Sequence, residues 1–332
     1  MNERGAPGAA FVVFGARLAS MSDHGPHADE VDPCLASAPF LTNPDRWFDE
    51  PEGARVPDGM RVIDAHVHLF PAGVFEAIWR WFDAHGWRVR YRLHAERVVE
   101  FLTSRGVERL CALAYSHKPG LSTVLNDFMH EVARAHPQVM ALGTVLPGEP
   151  DAEAIVRRAL GPLGLRGLKL HCHVQRMAAD DPRIDPVYAL CQDMGRPVLI
   201  HSGREPSMAA YGVNTRELCA ASQIERVLRR YPRLTLVVPH LGADEYDDYE
   251  ALLGRYENLY LDTTMTVGHY FEVGPPRSLF PGFAGRLLYG SDFPNLPYAW
   301  DRELRAIAAL DLPDADRHAL LAGNALRLFG DG

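Results

Sequence analysis

Four short segments, each an apolar run ending in a metal-binding side chain, constrain this chain more than any other feature. They are Asp64-Ala65-His66-Val67-His68, Leu199-Ile200-His201-Ser202-Gly203, Val238-Pro239-His240-Leu241-Gly242 and Tyr289-Gly290-Ser291-Asp292-Phe293-Pro294. A buried parallel strand reads as an apolar run and delivers its functional group at its carboxyl end. Imidazole and carboxylate are ordinary ligands for a borderline divalent ion such as zinc. Such groups recurring at successive strand ends imply an enzyme built around a metal.

From Arg61 onward, short β-branched or Leu-rich runs alternate with amphipathic stretches. The expected strands are residues 62–68, 109–115, 139–145, 165–171, 197–201, 235–240, 258–262 and 286–289. Helices are expected between them at 95–104, 121–135, 152–160, 186–194, 221–231 and 246–255, then at 301–310 and 314–328. This rhythm predicts an α/β chain closed into a (β/α)8 TIM barrel, whose functional end is the carboxyl end of its strands. An open doubly wound sheet has the same rhythm. Closure is favoured because it brings the first and last strands together, and with them His66 and Asp292.

The expected organisation is an irregular N-terminal arm over 1–58, rich in Gly, Pro, Ala and Asp, and a catalytic barrel over 59–332. An aromatic-rich insertion, residues 70–91, follows the first strand. Phe75, Ile78, Trp79 and Phe82 recur at helical spacing, which reads as packing, with a lid as the functional alternative. Arg88, Arg90 and Arg92 share a face if extended, and could bind a carboxylate or lie in solvent.

Composition removes several other classes. Apolar residues at 47% against 23% charged fit a globular chain rather than a disordered one. A formal charge of −9 argues against a nucleic-acid or acidic-membrane surface, and no run approaches the length of a membrane span. Cys34, Cys111, Cys172, Cys191 and Cys219 are an odd, scattered set, which suggests reduced thiols and a cytoplasmic enzyme. The Phe11-Val12-Val13-Phe14 run is short and no long apolar region or cleavage pattern follows it, so a signal peptide is not expected. A homo-oligomer, to which the arm could contribute, is compatible with this reading.

The expected ligand set is His66, His68, His201 and Asp292 around one divalent ion. His66 and His68 lie on one strand face by parity, with Asp64 one level deeper. His240 would be the general acid or base, or a ligand of a second ion; Asp292 could bind the metal or accept a proton. Lys169 and His171 share an inward parity in Gly167-Leu168-Lys169-Leu170-His171-Cys172-His173, while Leu168 and Leu170 face the helices. A buried ammonium needs a partner, so Lys169 would hold a substrate anion or, if carboxylated, bridge two metals. His171 could bind substrate, and Cys172 and His173 complete the loop. Arg204 is the first candidate for a substrate carboxylate, with a Glu205 salt bridge as the alternative. Asp244 is expected to cap the following helix.

At these residues the chain resembles the amidohydrolase superfamily, within it the amidohydrolase 2 branch that includes aminocarboxymuconate-semialdehyde decarboxylase-like enzymes. The resemblance spans roughly 61–329 and rests on the His66–His68 motif, strand-end His201 and His240, and the Gly290-Ser291-Asp292 turn. It implies that His66, His68 and His201 are metal ligands, His240 an acid/base or ligand, and Asp292 a ligand or proton acceptor. Binuclear members use a carboxylated fourth-strand lysine, for which Lys169 is placed; decarboxylase-like members use one metal.

Two reactions follow. The leading expectation is metal-dependent hydrolysis of a small, anionic ester, lactone or amide through activated water. The alternative is metal-dependent, non-oxidative decarboxylation of a small unsaturated or aromatic acid. A barrel that only binds a metabolite is disfavoured by the density of acid/base groups.

Overall fold

The computed structural model describes residues 47–271 and 273–330. The expected arm therefore falls mostly outside the described residues. Its described end packs on the barrel: Gly53 N donates to Asp301 Oδ2 and Trp300 Nε1 donates to Gly53 O, both at 2.9 Å. Glu50 pairs with Arg302 at 2.6 Å, and that guanidinium lies 3.7 Å over the Trp47 ring.

Among the described residues nine strand segments form the sheets, and two of them are halves of one strand, so eight strands result. They are β1 (Val62–His68), β2 (Val107–Leu113), β3 (Val139–Ala141 and Gly143–Thr144), β4 (Leu168–His171), β5 (Val198–His201), β6 (Leu236–Val238), β7 (Leu259–Asp262) and β8 (Leu287–Leu288). All neighbouring pairs are parallel. At the break in β3, Leu142 N still donates to Ala112 O of β2, while Gly143 N turns to Gly167 O before β4.

The last strand returns to the first. Ala65 N donates to Tyr289 O, Asp292 N to His66 O and His68 N to Phe293 O, at 2.8 to 2.9 Å. Those bonds close the sheet and dispose of the open alternative. The fold is a TIM barrel.

Parity organises its walls. Val198 and Ile200 join the large cluster beneath the helices, while Leu199 packs inside with Ile63, Ala65, Val237 and Leu288. On β4, Leu168 and Leu170 face the helices, leaving Lys169 and His171 inward as expected. The covering helices show the spacing that buries one face. In Leu121–Ala135 the buried apolar set is Leu121, Leu125, Phe128, Met129 and Val132.

Two local expectations need correction. β1 carries an extra residue between Asp64 and Val67 relative to β2, so Asp64 and His66 do not continue one simple alternation. The predicted helix 314–328 is three segments, with a π-helical turn at Ala319–Gly323 between Asp314–His318 and Asn324–Phe329. Within that wider turn the Leu320 carbonyl accepts from Tyr289 N at 2.9 Å, tying the helix to the end of β8.

The insertion after β1 is a helix, Ala72–His85, with Phe75, Trp79 and Phe82 buried and Ile78 half-buried. Packing explains these four. Among the described residues, no helix is long and apolar enough to cross a membrane. Cys111, Cys172, Cys191 and Cys219 are buried free thiols; Cys34 lies outside the described residues.

Candidate metal centre

His66 and His68 leave β1 side by side and meet Asp292 from the turn after β8. Asp292 Oδ1 lies 3.0 Å from His68 Nε2 and 3.4 Å from His66 Nε2. One ligand atom from each of these three residues falls within 4.8 Å of the others. All three side chains are buried.

The opposite nitrogen of His66 is fixed from behind. Asp262, ending β7, places Oδ2 2.8 Å from His66 Nδ1. Its Oδ1 accepts the backbone N–H of His240 at 3.2 Å and of Thr264 at 3.1 Å. A carboxylate behind a metal-binding imidazole sets the tautomer, with hydrogen on Nδ1 and a lone pair on Nε2. Burial holds the His66 imidazole down at about 4, with Lys169 adding repulsion, so it is neutral as a ligand must be. Burial alone would raise Asp262, but hydrogen bonding and the neighbouring imidazoles hold it at about 2. The same balance keeps Asp292 well below the usual carboxylate range. Two imidazole nitrogens and an ionised oxygen converging in a buried wall fit a borderline divalent ion.

Strained backbone surrounds these groups. His240, Leu241 and Asp292 adopt φ of 57°, 51° and 72°, a region costly for residues with a Cβ. Gly290 answers to a different demand. A Cβ there would lie 2.5 Å from Thr264 Oγ1 and 2.8 Å from His66 Cβ, so the turn needs glycine for close approach. Asp64 ties the turn down: its Oδ2 accepts from Ser291 Oγ at 2.5 Å and its Oδ1 from Ser291 N at 3.1 Å. Burial raises that carboxyl to about 7.

His240 stands between two groups of imidazoles, its ring centroid 6.0 Å from His66 and 4.7 Å from His201. Its Nδ1 lies 3.0 Å from the Thr264 carbonyl, which leaves Nε2 as the nitrogen free for proton exchange. Lys169 Nζ lies 3.5 Å from His66 Nε2, and burial lowers its pKa to about 8 against the pull of Asp262 and Asp292.

The other candidate histidines lie nearby. One ring nitrogen each of His201, His171 and His173 lies within 4.8 Å of the other two. The His201 ring stacks on His171, 4.1 Å between centroids. His173 is thus part of a cluster rather than loop filling. Arg204 is taken by protein carboxylates, Glu245 at 2.9 Å and Asp244 at 3.5 Å, and not by Glu205. Asp244 makes these ion pairs, including Arg216 at 3.3 Å, and the helix Tyr246–Arg255 has Glu245 at its N-cap without a side-chain capping bond. Arg88 lies over Phe48, Arg90 pairs with Glu52 and Arg92 with Asp83, so all three are engaged by the protein.

Asp262 was missed at the sequence level, although it ends an apolar run, Leu259-Tyr260-Leu261-Asp262, like the four motifs. Tyr115 was missed too. Its ring touches His68 at 5.6 Å and His171 at 4.8 Å.

A family profile described as Amidohydrolase, of the second branch, matches residues 63–330. The chain belongs to the amidohydrolase-2 family. Among its relatives is a 2-keto-4-carboxy-3-hexenedioate hydratase from Sphingobium sp. strain SYK-6, 25% identical over 237 residues, covering 61% of this chain and 70% of the hydratase. Two solved structures share the fold. A TIM-barrel protein from Bordetella bronchiseptica has a TM-score of 0.62 and 24% identity, covering 81% of this chain and 98% of that one. A 5-carboxyvanillate decarboxylase from Novosphingobium aromaticivorans, complexed with manganese and 4-hydroxy-3-methoxy-5-nitrobenzoic acid, has a TM-score of 0.63 and 17% identity, covering 85% and 99%. This amidohydrolase-2 chain is accordingly an enzyme of a family that uses a divalent metal.

Proposed function

We propose that this enzyme is a metal-dependent lyase that releases carbon dioxide, without oxidation, from a small unsaturated or aromatic carboxylic acid. One observation carries the reading. A single carboxylate, Asp262, holds both His66 Nδ1 and the His240 backbone, so the metal-binding wall and the proton-carrying imidazole keep a set relation. The relatives favour this chemistry over ester hydrolysis: one is named a hydratase of an unsaturated carboxylic acid, another a decarboxylase of an aromatic one.

His66, His68 and Asp292 would hold the ion, with zinc the first candidate and manganese the second. The ion would supply Lewis acidity toward substrate oxygens. With its Nδ1–H donated to the Thr264 carbonyl, His240 would first take a proton from solvent on Nε2 and then give it to the carbon bearing the carboxylate, returning to the neutral ring. The carbon–carbon electron pair then returns to the unsaturated system and carbon dioxide departs. Lys169 supplies positive charge for a substrate carboxylate, and its burial with His171 beside Tyr115 keeps bulk water away. Asp292, ionised and bound to His68, is suited to ligation rather than to giving a proton.

The hydrolytic reading keeps one supporting observation. Lys169 at about 8 has a readily available neutral amine, the form that carbon dioxide carboxylates. The metal-loaded enzyme should be given panels of aromatic and unsaturated acids, and of small esters, lactones and amides, in deuterated water. Metal-dependent carbon dioxide release with one deuterium at the vacated carbon is expected. Turnover of the esters, lactones or amides alone would overturn the decarboxylase reading.

A further inference from the structure

Past β7 the chain makes a run of turns, yet Thr263, Thr264, Met265, Thr266 and Val267 are all buried. Connecting segments usually lie on the surface, because buried backbone polar groups must find partners. Here two consecutive side chains of the helix Arg302–Ala308 supply them. Glu303 accepts from Val267 N through Oε2 at 3.1 Å and from Gly268 N through Oε1 at 2.8 Å. Arg302 Nε donates to the Gly268 carbonyl at 2.6 Å. Glu303 is buried, and Arg302 is held in turn by Glu50 and the Trp47 ring.

The fit is close. A Cβ on Gly268 would lie 2.8 Å from Glu303 Oε1 and 3.2 Å from Arg302 Cγ, so the segment seats against this pair only as glycine. On either side of it the backbone is strained, with φ of 61° at Met265 and 57° at His269. Such conformations persist only where their surroundings hold them.

The clamped segment meets His240 at both of its ends. Ahead of the clamp, the Thr264 carbonyl lies 3.0 Å from His240 Nδ1. The Thr263 carbonyl accepts from Thr266 N at 3.0 Å and from Thr266 Oγ1 at 2.7 Å, which ties residues 263–266 into one tight turn. Beyond the clamp, Phe271 stands edge-on to the His240 ring, 6.2 Å between centroids.

We propose that Glu303 is a positioning residue for His240: by holding Val267 and Gly268 it fixes the Thr264 carbonyl, which keeps hydrogen on His240 Nδ1 and leaves Nε2 free. Glu303 itself touches no reacting atom. Its importance to turnover rests on the proton-carrying role proposed for His240.

The test uses the full chain with 15N-labelled histidine and one equivalent of zinc, read by long-range 1H–15N correlation spectra. The His240 signals are assigned by their loss in His240→Ala. Wild type should show His240 in the Nδ1–H tautomer alone. In Glu303→Ala it should exchange between both tautomers while the His66 and His68 signals stay in place, and Glu303→Gln, which keeps one acceptor oxygen, should fall between. An unchanged His240 pattern in Glu303→Ala would overturn the proposal. Equal disturbance of His66 and His68, the mark of a merely structural role, would overturn it too. Should Glu303→Ala fail to fold, Gly268→Ala breaks the same contact from the other side and is read in the same way. With a substrate in hand, Glu303→Gln should lower kcat about 5- to 10-fold, the weight of one hydrogen bond, at unchanged KM. It should lower kcat no further when added to His240→Ala, and losses that multiply would count against the proposal. Because the spectra need no substrate, failure of the decarboxylase reading would leave the tautomer result standing.

Discussion

Asp262 Oδ2 lies 2.8 Å from His66 Nδ1, and both groups are fully buried. That contact orients an imidazole whose other nitrogen faces His68 and Asp292. Removing a carboxylate behind a metal-binding histidine typically costs about 10- to 100-fold in affinity. Asp262→Ala should weaken metal binding by that order, read by competition with a chromophoric chelator. Unchanged affinity would mean that Asp262 serves only the barrel wall.

His240→Ala should separate binding from chemistry. Positioned proton transfer contributes about 10²- to 10⁴-fold to rate, so kcat should fall by that order while the equivalent held by His66, His68 and Asp292 remains. Elemental analysis alongside steady-state kinetics checks both halves.

At Gly290 the expected result is structural. The added methyl of Gly290→Ala meets Thr264 Oγ1 and the His66 Cβ at distances no relaxed Cβ contact reaches. Overpacking of this kind costs about 1–3 kcal/mol. The denaturation midpoint should fall, and metal affinity with it, because His66 is one of the atoms pushed. A variant as stable as wild type would show that the turn can move away from β1.

Glu303 supplies a pH-dependent signature away from the centre. Its buried carboxyl accepts from Val267 N at 3.1 Å and Gly268 N at 2.8 Å, and burial raises its pKa to about 8. The folded state therefore keeps this proton between its ordinary value of 4.5 and about 8, while the unfolded chain has released it. Stability from this group is complete below pH 4.5 and is lost as pH rises through about 8, by up to about 1.4 kcal/mol per pH unit. Glu303→Gln cannot titrate, so its stability should decline less steeply over that window, whatever its absolute value. Parallel urea-denaturation profiles for both proteins would contradict this.

Much of the architecture was legible before any coordinates. The strand ends bearing His66, His201 and Asp262 follow apolar runs, and β1 is bounded as its pattern predicts. Helices Ala95–Ser104, Leu121–Ala135, Ala152–Leu160 and Tyr246–Arg255 match theirs, because one apolar face under a barrel imposes a 3.6-residue period. The partners of Arg204 and Asp244 were not legible. Arg204 chooses Glu245 over its neighbour Glu205, and only the path of the loops after β5 and β6 sets that choice.

Sequence alone determined that inward-facing histidines and carboxylates would gather at the carboxyl end of a parallel barrel, since strand parity and burial are local properties. Tertiary structure decided how they divide: His66 and His68 go with Asp292, while His201 stacks on His171 beside His173. The division depends on the extra residue in β1, on Gly290 admitting the turn against His66, and on Asp262 arriving from another strand. Those are distances between segments remote in the chain, set by barrel closure, and no local pattern encodes them.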